Sequence, residues 1–259
     1  MKILVTNDDG IFADGLWTLA NELVKIAEVV VVAPDREQSA IGTAVTLSHP
    51  LRIQQASTLV PGIEACSVQG TPGDSVILAL EKLFHKKIDL VVSGINNGLN
   101  LGNDVLISGT VGAALQGYLR GIPALAVSLA SIEKTSLENA AKVTALIAGN
   151  IISNSPGNVF FNVNLPDFPP PEIKGARMTR LAGESHIDTV EEGHDGRRAY
   201  YWLVRRRINN SKDNVTDIGA IEQGYISITP LHLYLNNKHS RIKTDGFLDG
   251  LNEWLKNKE

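Results

Sequence analysis

Met1-Lys2-Ile3-Leu4-Val5-Thr6-Asn7-Asp8-Asp9-Gly10 opens the chain. The unbroken apolar run Ile3-Leu4-Val5 predicts a strand buried on both faces, as in a parallel sheet covered by helices. It stops abruptly at Asn7-Asp8-Asp9-Gly10. Two adjacent carboxylates at the end of a buried strand repel each other and add nothing to a core. In open parallel α/β sheets ligands bind at the carboxyl edge, and a bound cation is the simplest relief of the repulsion. A turn built on Asp-Gly chemistry competes with that reading, and this segment alone does not separate the two.

The rest of the chain repeats the opening pattern. Leu16, Leu19, Ala20, Leu23 and Val24 fall on one helical face, with Asp14 as the predicted N-cap. Residues 29–33 form a second apolar strand and deliver Pro34-Asp35-Arg36-Glu37-Gln38-Ser39 to the same sheet edge, given a right-handed crossover. Residues 45–55 and 64–69 read as strands of a less regular section. Thr71-Pro72-Gly73-Asp74 announces a helix: a Thr cap, Pro at the first helical position and an acidic residue at the third. Residues 89–93 are a strand that runs into a Gly- and Asn-rich loop ending at Asp104, too long and polar for a mere connector. Ser108-Gly109-Thr110 opens the next helix, Gly121 closes it, and a strand (124–129), a long helix (136–152) and a strand (159–163) follow. The alternation implies an α/β fold, an open and mostly parallel sheet with helices on both faces.

Near Pro166 the character changes. Pro166, Pro169, Pro170 and Pro171 predict a stiff connector, and a hairpin turning near Asp195-Gly196 follows. Residues 216–223 read as a short helix and 225–229 as a strand. Phe247, Leu248, Leu251, Trp254 and Leu255 mark a terminal helix whose apolar stripe would be sticky in a monomer. We therefore divide the chain into a core, residues 1–165, and an extension, residues 166–259, that completes the fold and the oligomer interface.

The 259 residues carry a net charge of -4 and contain one cysteine, Cys66. That charge gives no support to binding of duplex nucleic acid or a membrane surface, and no apolar run reaches membrane-span length. A single cysteine forms no internal disulfide and suits a reducing cytoplasm, the expected location, with Cys66 itself read as an inert buried thiol. Trp17 and Trp254 read as packing residues. Arg205-Arg206-Arg207 with Arg197 and Arg198 reads as a solvated strand face, with guidance of anionic substrates as the alternative.

At the carboxyl edge the strand ends contribute Asp8, Asp9, Ser39, Asn96 and Asn97. All are oxygen donors, a set that suits Mg²⁺, Mn²⁺ or Ca²⁺ rather than zinc or copper. The six histidines show no ligand spacing. Ser108, Gly109 and Thr110 at a helix start suit a phosphate, since backbone N–H groups and the helix dipole favour an anion; plain N-capping is the competing reading. A cation site and an anion site at one edge together suggest a metal-assisted reaction on a phosphate ester.

Six segments stand in order along the chain: Leu4-Val5-Thr6-Asn7-Asp8-Asp9-Gly10, Ala33-Pro34-Asp35-Arg36-Glu37-Gln38-Ser39-Ala40, Gly70-Thr71-Pro72-Gly73-Asp74, Ser93-Gly94-Ile95-Asn96-Asn97-Gly98, Ser108-Gly109-Thr110-Val111 and Gly224-Tyr225-Ile226-Ser227-Ile228-Thr229-Pro230-Leu231. In these the chain resembles the SurE survival proteins, metal-dependent nucleoside monophosphate phosphatases. It implies a Rossmann-like core with C-terminal hairpin and helix extensions exchanged within a homodimer or homotetramer. It implies hydrolysis of nucleoside 5′- and 3′-monophosphates, with one divalent cation on Asp8, Asp9, Ser39 and Asn96 and phosphate near Asn96, Ser108, Gly109 and Thr110. Asp8, Asp9 and Asn96 are the implied catalytic set. Three positions depart from the family pattern: Ile107 in place of an aromatic, Gln116 in place of an acid, and Gly193-His194-Asp195-Gly196-Arg197 in place of Asp-Pro-Arg-Gly. A haloacid dehalogenase type phosphatase needs a carboxylate where Gly10 stands. A nucleotide-binding module without catalysis remains the reading from a different class.

Overall fold

The structure is a computed structural model and describes residues 1–84, 88–131, 133–154, 157–167, 172–183, 185–207 and 213–233. Among them a nine-stranded sheet forms the centre. Its first strand, β1 (Lys2–Thr6), lies between β2 (Glu28–Pro34) and β5 (Leu90–Asn97), parallel to both. Beyond β2 come β4 (Glu64–Val68), parallel, and β3 (Ile53–Gln55), antiparallel, at one edge. Beyond β5 come β6 (Ala124–Leu129) and β7 (Phe160–Leu165), both parallel. From past residue 165 the chain adds β11 (Ile226–Pro230), antiparallel to β7, and β8 (Ala176–Met178) at the far edge. The chain leaves β1 toward β2 and later returns to β5 on its other side, so the strand order reverses between β1 and β5. That reversal opens a crevice at their carboxyl ends.

Side-chain alternation explains why both faces are covered. Ile3, Val5, Val29 and Val31 point to one side, where helices α1 (Asp14–Leu23) and α4 (Lys134–Asn154) pack. Leu4, Val30, Val32 and Val91 point to the other, under α2 (Pro72–Leu78) and α3 (Gly109–Tyr118). Ile3, Leu4 and Val5 are wholly buried, each contributing about 1.5–3 kcal/mol by area. This confirms the Rossmann-like, doubly covered reading. Trp17 packs as expected, 5% exposed, and its indole donates to the Ile11 carbonyl at 2.7 Å.

The start of α2 also forms as read: Thr71 accepts from the Asp74 N–H while Asp74 accepts from the Thr71 N–H. Other readings shift. The N-cap of α1 is Ala13, with Asp14 inside the first turn. The strand expected over 45–55 shrinks to β3, because Val45 and Leu47 face solvent and Thr46 donates its N–H to Asp74 instead of a neighbouring strand. The Gly- and Asn-rich loop begins as strand, β5 reaching Asn97, and ends in a 3₁₀ turn (Gly102–Leu106). Cys66 is half-buried rather than buried; burial and Glu64 both push its thiol upward, which keeps it unreactive.

The hairpin forms from β9 (His186–His194) and β10 (Ala199–Arg207), turning at Asp195, whose carboxylate accepts the Arg197 and Arg198 N–H groups. Those hydrogen bonds hold the Asp195 carboxyl below its usual range. The short helix over 216–223 is α5 (Asp217–Glu222), capped by Thr216. Most of the proline connector and the whole terminal helix stripe, with Trp254, lie outside the described residues.

Candidate active site

Asn7-Asp8-Asp9-Gly10 is a turn after all, but Asn7 does the turn chemistry. Its side chain bonds both the Gly10 N–H and the Gly10 carbonyl, at 3.1 and 3.0 Å. The two carboxylates are thereby left for other work. Gln38 donates its N–H to the Asp8 carbonyl at 2.7 Å, which ties the loop after β2 to the same point.

Asp8 is 5% exposed and faces the start of α3. The Thr110 hydroxyl donates to Asp8 Oδ1 at 2.6 Å, and the Thr110 N–H adds a second hydrogen bond. Burial still wins, and the Asp8 carboxyl sits above its ordinary value. Asp9 is pushed up to about 6, by burial first, then by the charges of Asp8 and Glu37, against one hydrogen bond from the Asn97 main chain. Two neighbouring carboxyls raised for these reasons form a site that a cation would satisfy.

A shift of register in the β5–β6 pairing between Ser93 and Asn96 redirects the end of β5. Gly94 makes the bend possible: a Cβ there would sit 2.4 Å from the Val127 carbonyl oxygen. Asn96 donates to the Gly98 carbonyl at 2.7 Å, a use of its NH₂ that leaves the amide oxygen for a ligand. Ser39 is exposed, and its hydroxyl donates to Glu37 at 2.5 Å.

These residues surround a cavity of about 330 Å³ at the β1–β5 crevice, lined by Asp8, Asp9, Ser39, Asn96, Asn97 and Ser108 of the residues expected from sequence. Gly109 and Thr110 stand behind Asp8 rather than in the lining. A Cβ on Gly109 would come within 2.8 Å of the Asp8 Cβ, so this glycine lets the helix start press against the carboxylate. Ser108 caps the helix through the Val111 N–H, so the capping reading holds for its side chain. Among the described residues no cluster of three or more His, Cys, Asp or Glu side chains converges on a possible metal. A cation here would complete its shell with amide and hydroxyl oxygens, the preference of a hard ion.

The sequence names only part of the opposite wall. Asp104, His186 and Arg205 also line the cavity, as do Glu37 and Asn100. Asp104, 5% exposed, accepts from Arg205 at 2.8 Å and lies 2.6 Å from His186 Nδ1. Arg205 also donates to Asp188, and both carboxylates hold its guanidinium firmly in the charged form. Arg205 is exposed as read, 38% at its side chain, but is paired on two carboxylates, whereas Arg206 is 69% exposed. No local signal joins these partners, because Asp104 stands 82 residues from His186 and 101 from Arg205.

Behind the wall the loop is fully pinned. Asn100 donates its N–H to Asn164 and its NH₂ to Ser128, and its carbonyl accepts from the side-chain amides of Asn162 and Asn164. Asp217, wholly buried, accepts the Gly102 and Ala182 N–H groups at 2.7 and 2.8 Å.

Known proteins share this fold and much of this sequence. The family model described as "Survival protein SurE" matches residues 3–188. The chain is similar to a "5'-nucleotidase SurE" of Dehalococcoides mccartyi strain CBDB1, 56% identical over 239 residues, covering 90% of this chain and 89% of the relative. It is 48% identical over 239 residues to the protein of the same name from Moorella thermoacetica, covering 92% of each. It also superposes on the crystal structure of the SurE protein from Aquifex aeolicus with a TM-score of 0.78, at 34% identity and covering 99% of this chain and 100% of that one.

Proposed function

The chain belongs to the SurE survival-protein family, and from that premise we propose that it is a divalent-metal-dependent phosphomonoesterase that hydrolyses nucleoside 5′- and 3′-monophosphates. Nucleotidase-class hydrolysis follows from the identity to its relatives. Metal dependence is the finer part of the reading. Its main support is the pair Asp8 and Asp9, the first buried and the second half-buried at the strand-order reversal, both raised in proton affinity.

Asp8, Asp9, Ser39 and Asn96 would hold a Mg²⁺ or Mn²⁺ ion, with Ca²⁺ a competent stand-in. Such a cation supplies positive charge for phosphoryl oxygens and acidifies a water molecule near neutral pH. The protein's own share is positional. Thr110 orients Asp8, Asn97 orients Asp9, and the start of α3 brings its positive dipole end to the same place. Phosphate is assigned to Asn96 and Ser108, with Gly109 and Thr110 acting from behind. Arg205, at the mouth, adds a fixed positive charge that draws an anionic substrate in.

We assign the core to residues 1–165, with the extension beyond it joining subunits as a homodimer or homotetramer. Exposed Tyr201, Trp202 and Leu203 on the hairpin, 64–79% accessible, support an arm that meets another subunit. Among the described residues no helix is long and apolar enough to cross a membrane. Phosphate release from AMP with Mn²⁺ tests the reading: chelation should abolish it and added Mn²⁺ restore it. Full activity in chelator would remove the metal. Label from ¹⁸O-water found in the Asp8 peptide after one turnover would replace attack by water with attack by Asp8.

A further inference from the structure

A nucleoside oxygen leaves phosphorus poorly unless a proton reaches it as the bond breaks. Asp8, Asp9 and Glu37 crowd together, and a cation needs their anionic forms. Arg205 does not release a proton, and amides cannot. One remaining side chain on the cavity wall is an imidazole, a group that can carry a proton on either ring nitrogen.

That imidazole, His186, is the first residue of β9 and is carried by an element separate from the carboxylates. Its Nδ1 lies 2.6 Å from Oδ2 of the buried Asp104, and its side chain keeps 22% of its surface accessible. Asp104 is itself held: its Oδ1 accepts from Arg205 Nη2 at 2.8 Å, and Arg205 Nε donates to Asp188 at 2.8 Å. An Nδ1–H committed to a fixed carboxylate sets ring orientation and leaves Nε2 as the atom for the cavity.

We propose that His186 is a catalytic residue, the proton donor to the departing nucleoside oxygen, and that Asp104 is its positioning residue; this rests on the phosphomonoesterase reading above. Water oxygen bonds to phosphorus as the phosphorus–oxygen ester bond breaks. The departing alkoxide takes the proton from His186 Nε2 and leaves as the nucleoside hydroxyl. The proton shed by the attacking water then restores the imidazolium, so one water is consumed and one nucleoside and one phosphate are released.

The test compares two substrates on one enzyme. AMP leaves as an alkoxide that needs a proton, whereas 2,4-dinitrophenyl phosphate leaves as a stabilised phenolate that does not. His186→Asn places an amide near Nδ1, so it keeps a donor to Asp104 while removing Nε2. It should lower kcat on AMP by at least about a hundredfold, the usual worth of a general acid, and on the aryl ester by less than about threefold. His186→Gln, with a non-transferable N–H near Nε2, should show the same split. Equal losses on both esters in both variants would overturn the assignment and make His186 a structural clamp. If the parent enzyme with Mn²⁺ cleaved neither ester, the phosphomonoesterase reading itself would fall, and this inference with it.

Discussion

The two walls of the cavity are built on opposite plans. Asp8, Asp9 and Asn96 stand at the ends of strands buried on both faces, and each is braced by main chain or by Thr110 close at hand. His186 and Arg205 stand at the base of a two-stranded arm that pairs only with itself among the described residues. Their order comes from one buried carboxylate, Asp104, and from the pinned loop that carries it. A site needs groups whose geometry cannot drift, and the sheet edge provides them. The arm supplies charge and a proton carrier through a joint, so its contribution can be uncoupled from the fold.

Gly109→Val strikes the sheet wall hardest. A side chain there meets Asp8 at its Cβ and Oδ2 before it meets any anion, at 2.8 and 2.9 Å. AMP hydrolysis should fall by at least about a hundredfold, close to 3 kcal/mol and comparable to losing one oxyanion donor. Mn²⁺ affinity, read by titration calorimetry, should fall with it. Undiminished affinity would show that α3 serves the phosphate alone and does not brace Asp8.

The joint between the walls comes next. Asp217→Ala leaves the Gly102 and Ala182 N–H groups without their carboxylate in the interior. We expect about 2 kcal/mol of lost stability from the unpaired donors, measured as a lower urea midpoint. An unchanged midpoint would mean that the loop is held by Asn100 alone, and the contrast between rigid edge and jointed arm would weaken.

The smallest effect sharpens the sheet side. The folded protein holds the Asp9 carboxyl near 6, above its ordinary 3.8, so folding favours the neutral form. The stability this group lends the metal-free protein is present below pH about 4 and is lost as pH rises through about 6. Asp9→Asn should therefore stabilise the metal-free protein above pH about 6, and progressively less below it. Partial exposure discounts the shift to about 1 kcal/mol at pH 7. A thermal scan across pH 4 to 8 without metal reads it, and a gain that persisted at pH 4 would point to a cause other than titration.

What the sequence disclosed follows the same divide. The apolar run before Asp8 and the Thr-Pro-Gly-Asp start of α2 are local patterns, and both form as read. Ser108 illustrates the limit of such patterns, since a helix start looks alike whether it caps itself or cradles a ligand; here its hydroxyl accepts from Val111. The Asp104–His186–Arg205 cluster spans more than a hundred positions and depends on where the arm docks, which no periodicity encodes. Likewise the expected strand over 45–55 competes with a buried Asp74 that claims the Thr46 N–H, a tertiary bond overriding local preference.

The arm's independence from the sheet also bears on how such a protein diversifies. Tyr200 to Leu203 face solvent and buttress none of the buried strands, so sequence drift there meets little resistance from the interior. Lineages could thus vary the outer arm from Tyr200 to Leu203 while Asp8, Asp9 and the docked His186 stay untouched. The outer arm stands apart from the reacting groups and can explore new contacts without endangering them.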